Sequence, residues 1–372
     1  MSAKRYRVLF WGLGNVGTPA LREVLRRPEY EVVGARVYSD EKAGQDLGVI
    51  ADMDPVGVHA TKDPEEAFAA SADIVIMTPR SLHMDRIDDT VARFLTSGTN
   101  VLTTVSYQYP VIVRGPDATV RLERAALEGG ATLHGTGVHP GFIFERLGMT
   151  LTGLFTRVDH VRVVEAFECG SLLSRGDAKY LQASGFGTDP RSLGPDSVVA
   201  RWTNPYYVQV IGYAAKALYG AEPDQVRVEN DVLGIPAAED TDAFPRLRIR
   251  RGETLVVCLE HRGYIGEHHF FTNEEYWYPG LEHRYLGPKP PPFGPFAGTS
   301  NYVVEVDGAP AKVAMQLDLA TNAGDDTPAI SYCSAVPLVQ SIVPVCEAAP
   351  GIMYPENSPH FSVDYRSLAK PL

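Results

Sequence analysis

The run GLGNVG sets Gly12, Gly14 and Gly17 directly after an apolar stretch, RVLFWG, and directly before an amphipathic one, TPALREVLRR. Glycines at this spacing, between a strand and a helix, suit a chain that turns tightly and brings its backbone against a phosphate. The free N–H groups and the positive end of the helix then face the anion. The segment reads as a dinucleotide site with Gly12, Gly14, Asn15, Val16 and Gly17 around the pyrophosphate; a plain glycine turn is the simpler alternative. The next β-rich stretch is expected to end around Tyr38 and runs into Ser39, Asp40, Glu41 and Lys42. Ser39 and Lys42 suit a ribose 2′-phosphate, whereas Asp40 suits a free 2′-hydroxyl and repels the phosphate. The balance leans to NADP, with NAD as the alternative, and solvated surface residues would explain the same letters.

Three more segments fall where strands should end: TPR, with Thr78, Pro79 and Arg80; TTVS, with Thr104; and GVHPGF, with His139 and Pro140. Ligands lie beyond the carboxyl ends of strands in an open α/β sheet, so these residues should surround a nicotinamide. Pro140 and Gly141 are equally ordinary punctuation ahead of a helix. Hydride chemistry at a carbonyl or imine also needs a proton donor or a stabiliser of charge at the heteroatom. An imidazole titrates near neutrality, which makes His139 a candidate, and Tyr107 or Tyr109 could supply a phenol. A structural role is the alternative for His139, and aromatic packing for the tyrosines. Glu165 and Glu168 lie on a predicted strand at a spacing of three, so they face opposite ways, and Glu168, nearer the strand end, is the choice for the cleft, with a salt bridge at a subunit or domain contact as the equal alternative. GDAKYLQASGFG, with Asp177, Lys179 and Tyr180, is a segment that could close over the substrate, or an ordinary surface loop. Phe142, Phe144, Tyr107, Tyr109 and the tyrosines of NPYYVQV are expected to wall a pocket more apolar than an amino acid needs. His261, Glu267, His268 and His269 suggest a metal, but adjacent strand residues point to opposite faces, and no metal site is expected. No Gly-x-Ser-x-Gly elbow supports a serine nucleophile.

The elements that must carry these residues follow from the periodicity. From Arg7 to about His139, short β-branched runs (YEVVGARVY, DIVIMTP, NVLTTV) alternate with amphipathic stretches such as MDRIDDTVARFLTSG. That is a βαβ series with a parallel sheet covered on both faces. Beyond GVHPGF, HVRVVEAFE, DQVRVENDVL, RLRIRRGETLVVCLEHRGYI, HHFFTNEEYWY and YVVEVDGAPAKVAMQLDLA read as longer, largely antiparallel strands, and NPYYVQVIGYAAKALYG as a helix packed on them. The fold class is α/β: a dinucleotide-binding domain over 1–140, a second α+β domain over 141–325, and a C-terminal helical segment over 326–372. ISYCSAVPLVQSIVPVCEAAPG carries Pro337 and Pro344, so a kink or two shorter helices are expected there. LGPKPPPFGPF is a stiff proline-rich connector.

At 372 residues the chain exceeds one ordinary core. A net charge of −12 with no long Lys/Arg cluster argues against nucleic acid and for a small-molecule partner. Four scattered cysteines and the absence of a leader-like start read as reduced thiols in a cytoplasmic protein, and no run of about 20 apolar residues suggests a membrane span.

GLGNVG, KAGQDLG, GTGVHPGF, SGFG and VPVCEAAPGI, in this order, resemble the dihydrodipicolinate-reductase-like superfamily, and within it the group of 2,4-diaminopentanoate dehydrogenase and the native amine dehydrogenases. The resemblance implies a Rossmann domain, a substrate domain whose sheet supports a homodimer, and a C-terminal helix returning to the first domain. It also implies hydride exchange between a nicotinamide and the carbon of an imine or amine. Members that process ammonia are expected to carry a glutamate just after the strand that here leads into Val105, Ser106, Tyr107, Gln108, Tyr109 and Pro110. No register of this segment supplies an acid; Gln108 can hydrogen-bond but stays neutral. An ammonia-independent ketone or aldehyde reductase, and a nucleotide-binding sensor without catalysis, are the alternatives.

Overall fold

The computed structural model describes residues 4–79, 84–173, 178–280, 282–286, 300–322, 324, 327–355 and 360–363. Arg80, Asp177 and most of the proline-rich connector lie outside them. The chain divides into a first unit, Met1–Phe142 with Ser331–Glu356, and a second, Ile143–Ile330 with Asn357–Leu372.

In the first unit, β1 (Tyr6–Trp11), β2 (Tyr30–Arg36), β3 (Ala60–Thr61), β4 (Ile74–Met77), β5 (Asn100–Thr103) and β6 (Thr132–Gly135) form one sheet with the C-terminal strand Gly351–Met353. Its order is Gly351–Met353, β6, β5, β4, β1, β2, β3, and every pairing is parallel. These strands read as continuous apolar runs because both faces are covered. Val8, Phe10, Ile74, Ile76 and Leu102 join one core cluster, and Leu9, Trp11, Val75, Met77 and Val101 the other.

The helix Ala329–Glu347 runs unbroken through Pro337 and Pro344, where a kink or a division was expected. Its Ala335, Leu338, Val339, Ile342 and Val345 are fully buried against the first of those clusters. Burying four large apolar side chains, at about 1.5–3 kcal/mol each, outweighs the roughly 3 kcal/mol that each interior proline costs. This helix is also long and apolar enough to cross a membrane, with a mean hydropathy of 1.5; its apolar side chains are the ones that cover the sheet.

The second unit is built on β7 (Arg157–Glu168), β8 (Val226–Pro236), β11 (Thr254–Ile265), β12 (His268–Tyr278), β13 (Ser300–Ala309) and β14 (Lys312–Leu319), with β9 (Thr241–Phe244) and β10 (Leu247–Ile249) as a separate hairpin. The main sheet runs β14-β13-β7-β12-β11-β8. All its pairings are antiparallel except β7 with β12. The helix over NPYYVQVIGYAAKALYG begins earlier than that motif, at Val198, where Ser197 Oγ accepts from Ala200 N, and stops at Gly220 in the left-handed conformation. Of the segment expected to return to the first unit, Ser331–Glu356 belongs to it, whereas the chain end belongs to the second unit. Phe361 is buried, its N–H donates to Thr152 Oγ1, its ring lies 6.0 Å from that of Tyr219, and Val363 N donates to Leu218 O, so an aromatic anchor ties this stretch to the second unit.

Candidate functional site

The glycine loop is held from both sides. Gly12 N donates to Arg36 O at 2.9 Å, and Thr78 Oγ1 donates to Gly12 O at 2.8 Å. Gly12 has φ +102°, and a Cβ on Gly17 would sit 2.2 Å from Gly12 O. Both positions need glycine for internal packing. Gly14 differs: a Cβ there meets nothing within 4 Å, and Gly14 and Asn15 are exposed. The helix Gly17–Leu25 follows with Val16 as its N-cap, no capping side chain and no acid in its first turn. An open glycine beside an uncapped helix start is a cradle that fits a pyrophosphate.

β2 ends at Arg36, two residues before the expected Tyr38. The Arg36 guanidinium lies between two rings, 4.6 Å from the Trp11 centroid and 4.2 Å from that of Tyr38. Its Nε is buried and has no hydrogen-bond partner among the described residues. Sequence reasoning missed Arg36 because it reads as one more strand residue; the aromatic neighbour two positions on was the available signal. Lys42 Nζ donates to Leu13 O at 2.6 Å, which ties it to the glycine loop. Ser39 is exposed. Asp40 pairs with Lys62 at 2.5 Å, and that hydrogen bond holds its carboxyl below the usual range.

The segment TTVSYQYP is pinned from beneath. Thr103 Oγ1 donates to Met77 O, and Thr136 N donates to Thr103 O. Tyr107 is fully buried, and its hydroxyl donates to Asp88. Arg114 donates from Nε to the same carboxylate at 2.8 Å, donates to Ser106 O, and lies 3.8 Å from the Tyr107 ring centroid. Burial pushes the Tyr107 phenol well above its usual pKa, so it stays a protonated donor to Asp88. The expectation that Tyr107 is a catalytic phenol or a pocket wall is corrected: its hydroxyl is used inside the first unit, and its role is to position the loop.

Gln108 is also fully buried. Its Nε2 donates to Pro140 O at 3.4 Å, and its Oε1 has no partner among the described residues. Ser106 Oγ and Thr136 Oγ1 are also buried without a partner among the described residues. A Cβ on Gly135 would lie 2.6 Å from Gln108 N, which puts the Gln108 backbone against the end of β6. Unsatisfied buried polar atoms cost about 1–3 kcal/mol each, so three of them beyond adjacent parallel strands mark where a hydrogen-bonding group belongs. A carboxamide, both donor and acceptor, fits them. Thr78, Pro79, Thr104 and His139 are half-buried at the same strand ends, and the His139–Pro140 peptide is cis. Tyr109 is buried with its ring 5.9 Å from that of Tyr354, and the half-buried Phe142 donates from its N–H to Val138 O.

In the second unit, Glu168 turns its carboxylate to the N–H of Gly170 at 2.9 Å, a local turn contact. Glu165 is the residue set in a buried polar row. Tyr302 donates to it at 2.8 Å, and strand register places Glu275 beside it. Asn273 Nδ2 donates to Glu275 Oε1 at 2.9 Å. Burial raises the Glu275 carboxyl to about 7 against hydrogen bonds from Glu165, Asn273, Tyr207 and Trp277 that favour its anion. The preference for Glu168 rested on nearness to the strand end; cross-strand register, which decides the surroundings, is not visible in one strand. Phe144 is a core residue, edge-on to Phe271 at 4.8 Å, and Tyr207 is buried in the polar row, so neither walls an apolar pocket as expected. Tyr180 stacks on Trp202 at 5.9 Å.

No family model matches the chain. Over 226 residues it is 30% identical to an amine dehydrogenase from Streptomyces virginiae, a match that covers 59% of this chain and 61% of that protein. The match therefore spans less than two thirds of the relative's length. The fold is that of the amine dehydrogenase structure from Mycobacterium smegmatis, with a TM-score of 0.68 and 18% identity over 96% of this chain and 98% of the other. The chain resembles the amine dehydrogenases. The resemblance expected from its motifs holds for the sequence match and for the whole fold. A scyllo-inositol dehydrogenase structure from Lactobacillus casei shares the architecture more distantly, with a TM-score of 0.50 and 13% identity over 92% of this chain and 90% of that one.

Proposed function

We propose that the chain is an NAD(P)-dependent oxidoreductase that moves a hydride between a nicotinamide and the carbon of a small imine, amine or carbonyl compound. The observation that carries this reading is the first unit's sheet end, where the open Gly14 turn occurs together with Ser106 Oγ, Gln108 Oε1 and Thr136 Oγ1, which have no partner among the described residues. The likeness to amine dehydrogenases supports the reaction class.

When bound, the nicotinamide supplies or receives the hydride. The chain binds and orients. Gly14 and the start of Gly17–Leu25 would take the pyrophosphate, and Gln108 Oε1 with the Ser106 and Thr136 hydroxyls would meet the carboxamide. Arg36 favours NADP over NAD: a planar guanidinium stacked between rings, with an unused N–H at the end of β2, suits a ribose 2′-phosphate. The exposed Asp40, engaged by Lys62, is less opposed to that phosphate than a free carboxylate would be.

A second reading, a carbonyl reductase that needs no ammonia, is favoured by one observation: no carboxylate occurs between Thr103 and Pro110. Oxidation of NADPH and NADH with a panel of small ketones and aldehydes, with and without ammonium, tests both. Turnover only with ammonium supports amine formation, and turnover regardless supports carbonyl reduction. Cofactor binding without turnover across the panel would overturn the enzymatic reading.

A further inference from the structure

The loop that lacks a carboxylate belongs to the first unit, while the second unit buries Glu165 and Glu275 on neighbouring strands. Register sets Glu275 of β12 beside Glu165 of β7, Tyr302 of β13 beside Glu165, and His261 of β11 beside Asn273 of β12. Paired residues share a face of a sheet and i, i+2 neighbours repeat it, so His261, Asn273, Glu275, Glu165 and Tyr302 lie on one face. The helix Val198–Tyr219 adds Asn204 and Tyr207 to that face. His261 Nε2 lies 2.9 Å from Asn204 Oδ1, the His261 ring lies 5.1 Å from that of Tyr207, and Tyr207 hydrogen-bonds Glu275. Glu275 is completely buried, Glu165 is 6% exposed and His261 1%.

The protonation of this row is unusual for a core. Glu165 and Glu275 share a hydrogen bond, which between two carboxyls requires one proton. Burial pushes His261 down to about 3, so its ring is neutral. With Nε2 facing an amide oxygen, the ring proton is assigned to Nε2, and Nδ1 presents a lone pair. That Nδ1 is buried and has no partner among the described residues. An unused acceptor on the same sheet face as a shared-proton carboxyl pair suits a group that brings N–H donors and positive charge.

We propose that this face of the second unit binds the reacting nitrogen, as ammonium or a protonated primary amine, and that the Glu165–Glu275 pair exchanges a proton with it. The inference rests on the oxidoreductase reading above and assigns its nitrogen site. In the aminating direction the singly protonated pair takes one proton from ammonium, which frees the nitrogen lone pair to attack the carbonyl carbon. The carbonyl oxygen takes up a proton from the nitrogen as the carbinolamine forms. The pair then returns its proton to that hydroxyl, which leaves as water and gives the iminium. Glu275, raised to about 7, can hold or release a proton near neutrality. The other titratable groups on this face, Tyr207, Tyr302 and His261, keep one protonation state there.

Trp277, which hydrogen-bonds Glu275, is a built-in reporter. Tryptophan fluorescence is titrated with ammonium chloride and, at equal ionic strength, with potassium chloride, in wild type, Glu165→Gln and Glu275→Gln, without carbonyl substrate. NADPH binding is followed separately by its own fluorescence. The expected result is a saturable ammonium-specific change in wild type that weakens about tenfold or more in either variant, a loss of about 1.4 kcal/mol or more, while NADPH affinity stays within twofold. A wild type that responds equally to both salts, or a folded Glu275→Gln that keeps the ammonium response, overturns the proposal. Failure of wild type to bind NADPH would instead overturn the oxidoreductase reading, and the ammonium titration is read independently of it.

Discussion

Removing the carboxylate of Asp88 should loosen the segment Ser106–Tyr109 and cost far more than removing its neighbour Asp89. Asp88 and Arg114 pair at 2.8 Å with side chains only 7% and 4% exposed, whereas Asp89 and Arg121 pair at 2.6 Å with side chains 72% and 43% exposed. Breaking a buried pair leaves an uncompensated charge and costs about 3–5 kcal/mol. An exposed pair contributes about 0–1 kcal/mol. Asp88→Ala also strips the Tyr107 hydroxyl of its acceptor, so the upper half of that range is expected. Urea unfolding of Asp88→Ala, Asp89→Ala and Asp88→Ala/Arg114→Met is the assay. The double variant should recover part of the loss, because it no longer buries a lone guanidinium. If Asp88→Ala lies within about 1 kcal/mol of wild type, the loop is not held as described, and Tyr107 returns as a candidate for chemistry.

Gly14→Ala should leave the melting temperature unchanged and weaken cofactor binding, since its Cβ enters open space on the phosphate side, while Gly17→Ala should destabilise the fold, its Cβ falling 2.2 Å from Gly12 O; melting and nucleotide fluorescence titration separate the two. Arg36→Ala should weaken NADPH by about tenfold or more, the worth of a charge-assisted hydrogen bond, and leave NADH within twofold; equal losses for both would remove Arg36 from the 2′-phosphate. Glu275 has a folded pKa of about 7 against an ordinary 4.5, so the folded state binds more protons and stability falls as pH rises through that interval. The total is on the order of 3 kcal/mol at about 1.36 kcal/mol per unit. Glu275→Gln should flatten this slope in urea midpoints taken between pH 5 and 8, and an unchanged slope would show that another group carries it.

What could be read from the sequence was whatever is local in the chain. The parallel sheet was legible because strands buried on both faces carry unbroken apolar runs, and the glycine loop because turn, phosphate approach and helix start all fall within six residues. Tyr107 was not legible as a positioning residue because its partners, Asp88 and Arg114, come from two helices on either side of it in the chain. Glu275 was hidden for a similar reason: its neighbours are set by register with β7 and by the helix Val198–Tyr219. The unbroken helix across Pro337 and Pro344 shows tertiary burial overruling a local preference. Arg36 was missed by only two residues, yet at a strand end that shift decides which side chain is placed for the ribose.

Transfer of a labelled hydride separates an oxidoreductase from a protein that only binds the nucleotide. The chain is incubated with NADPH carrying deuterium at the nicotinamide C4, a small ketone and ammonium, and the product is analysed by mass spectrometry. The account requires one deuteron on the carbon that bore the carbonyl oxygen, in an amine or an alcohol, with matching loss from the cofactor. Tight NADPH binding with no deuterium in any product, across ketones and aldehydes, would contradict it and leave a nucleotide-binding protein.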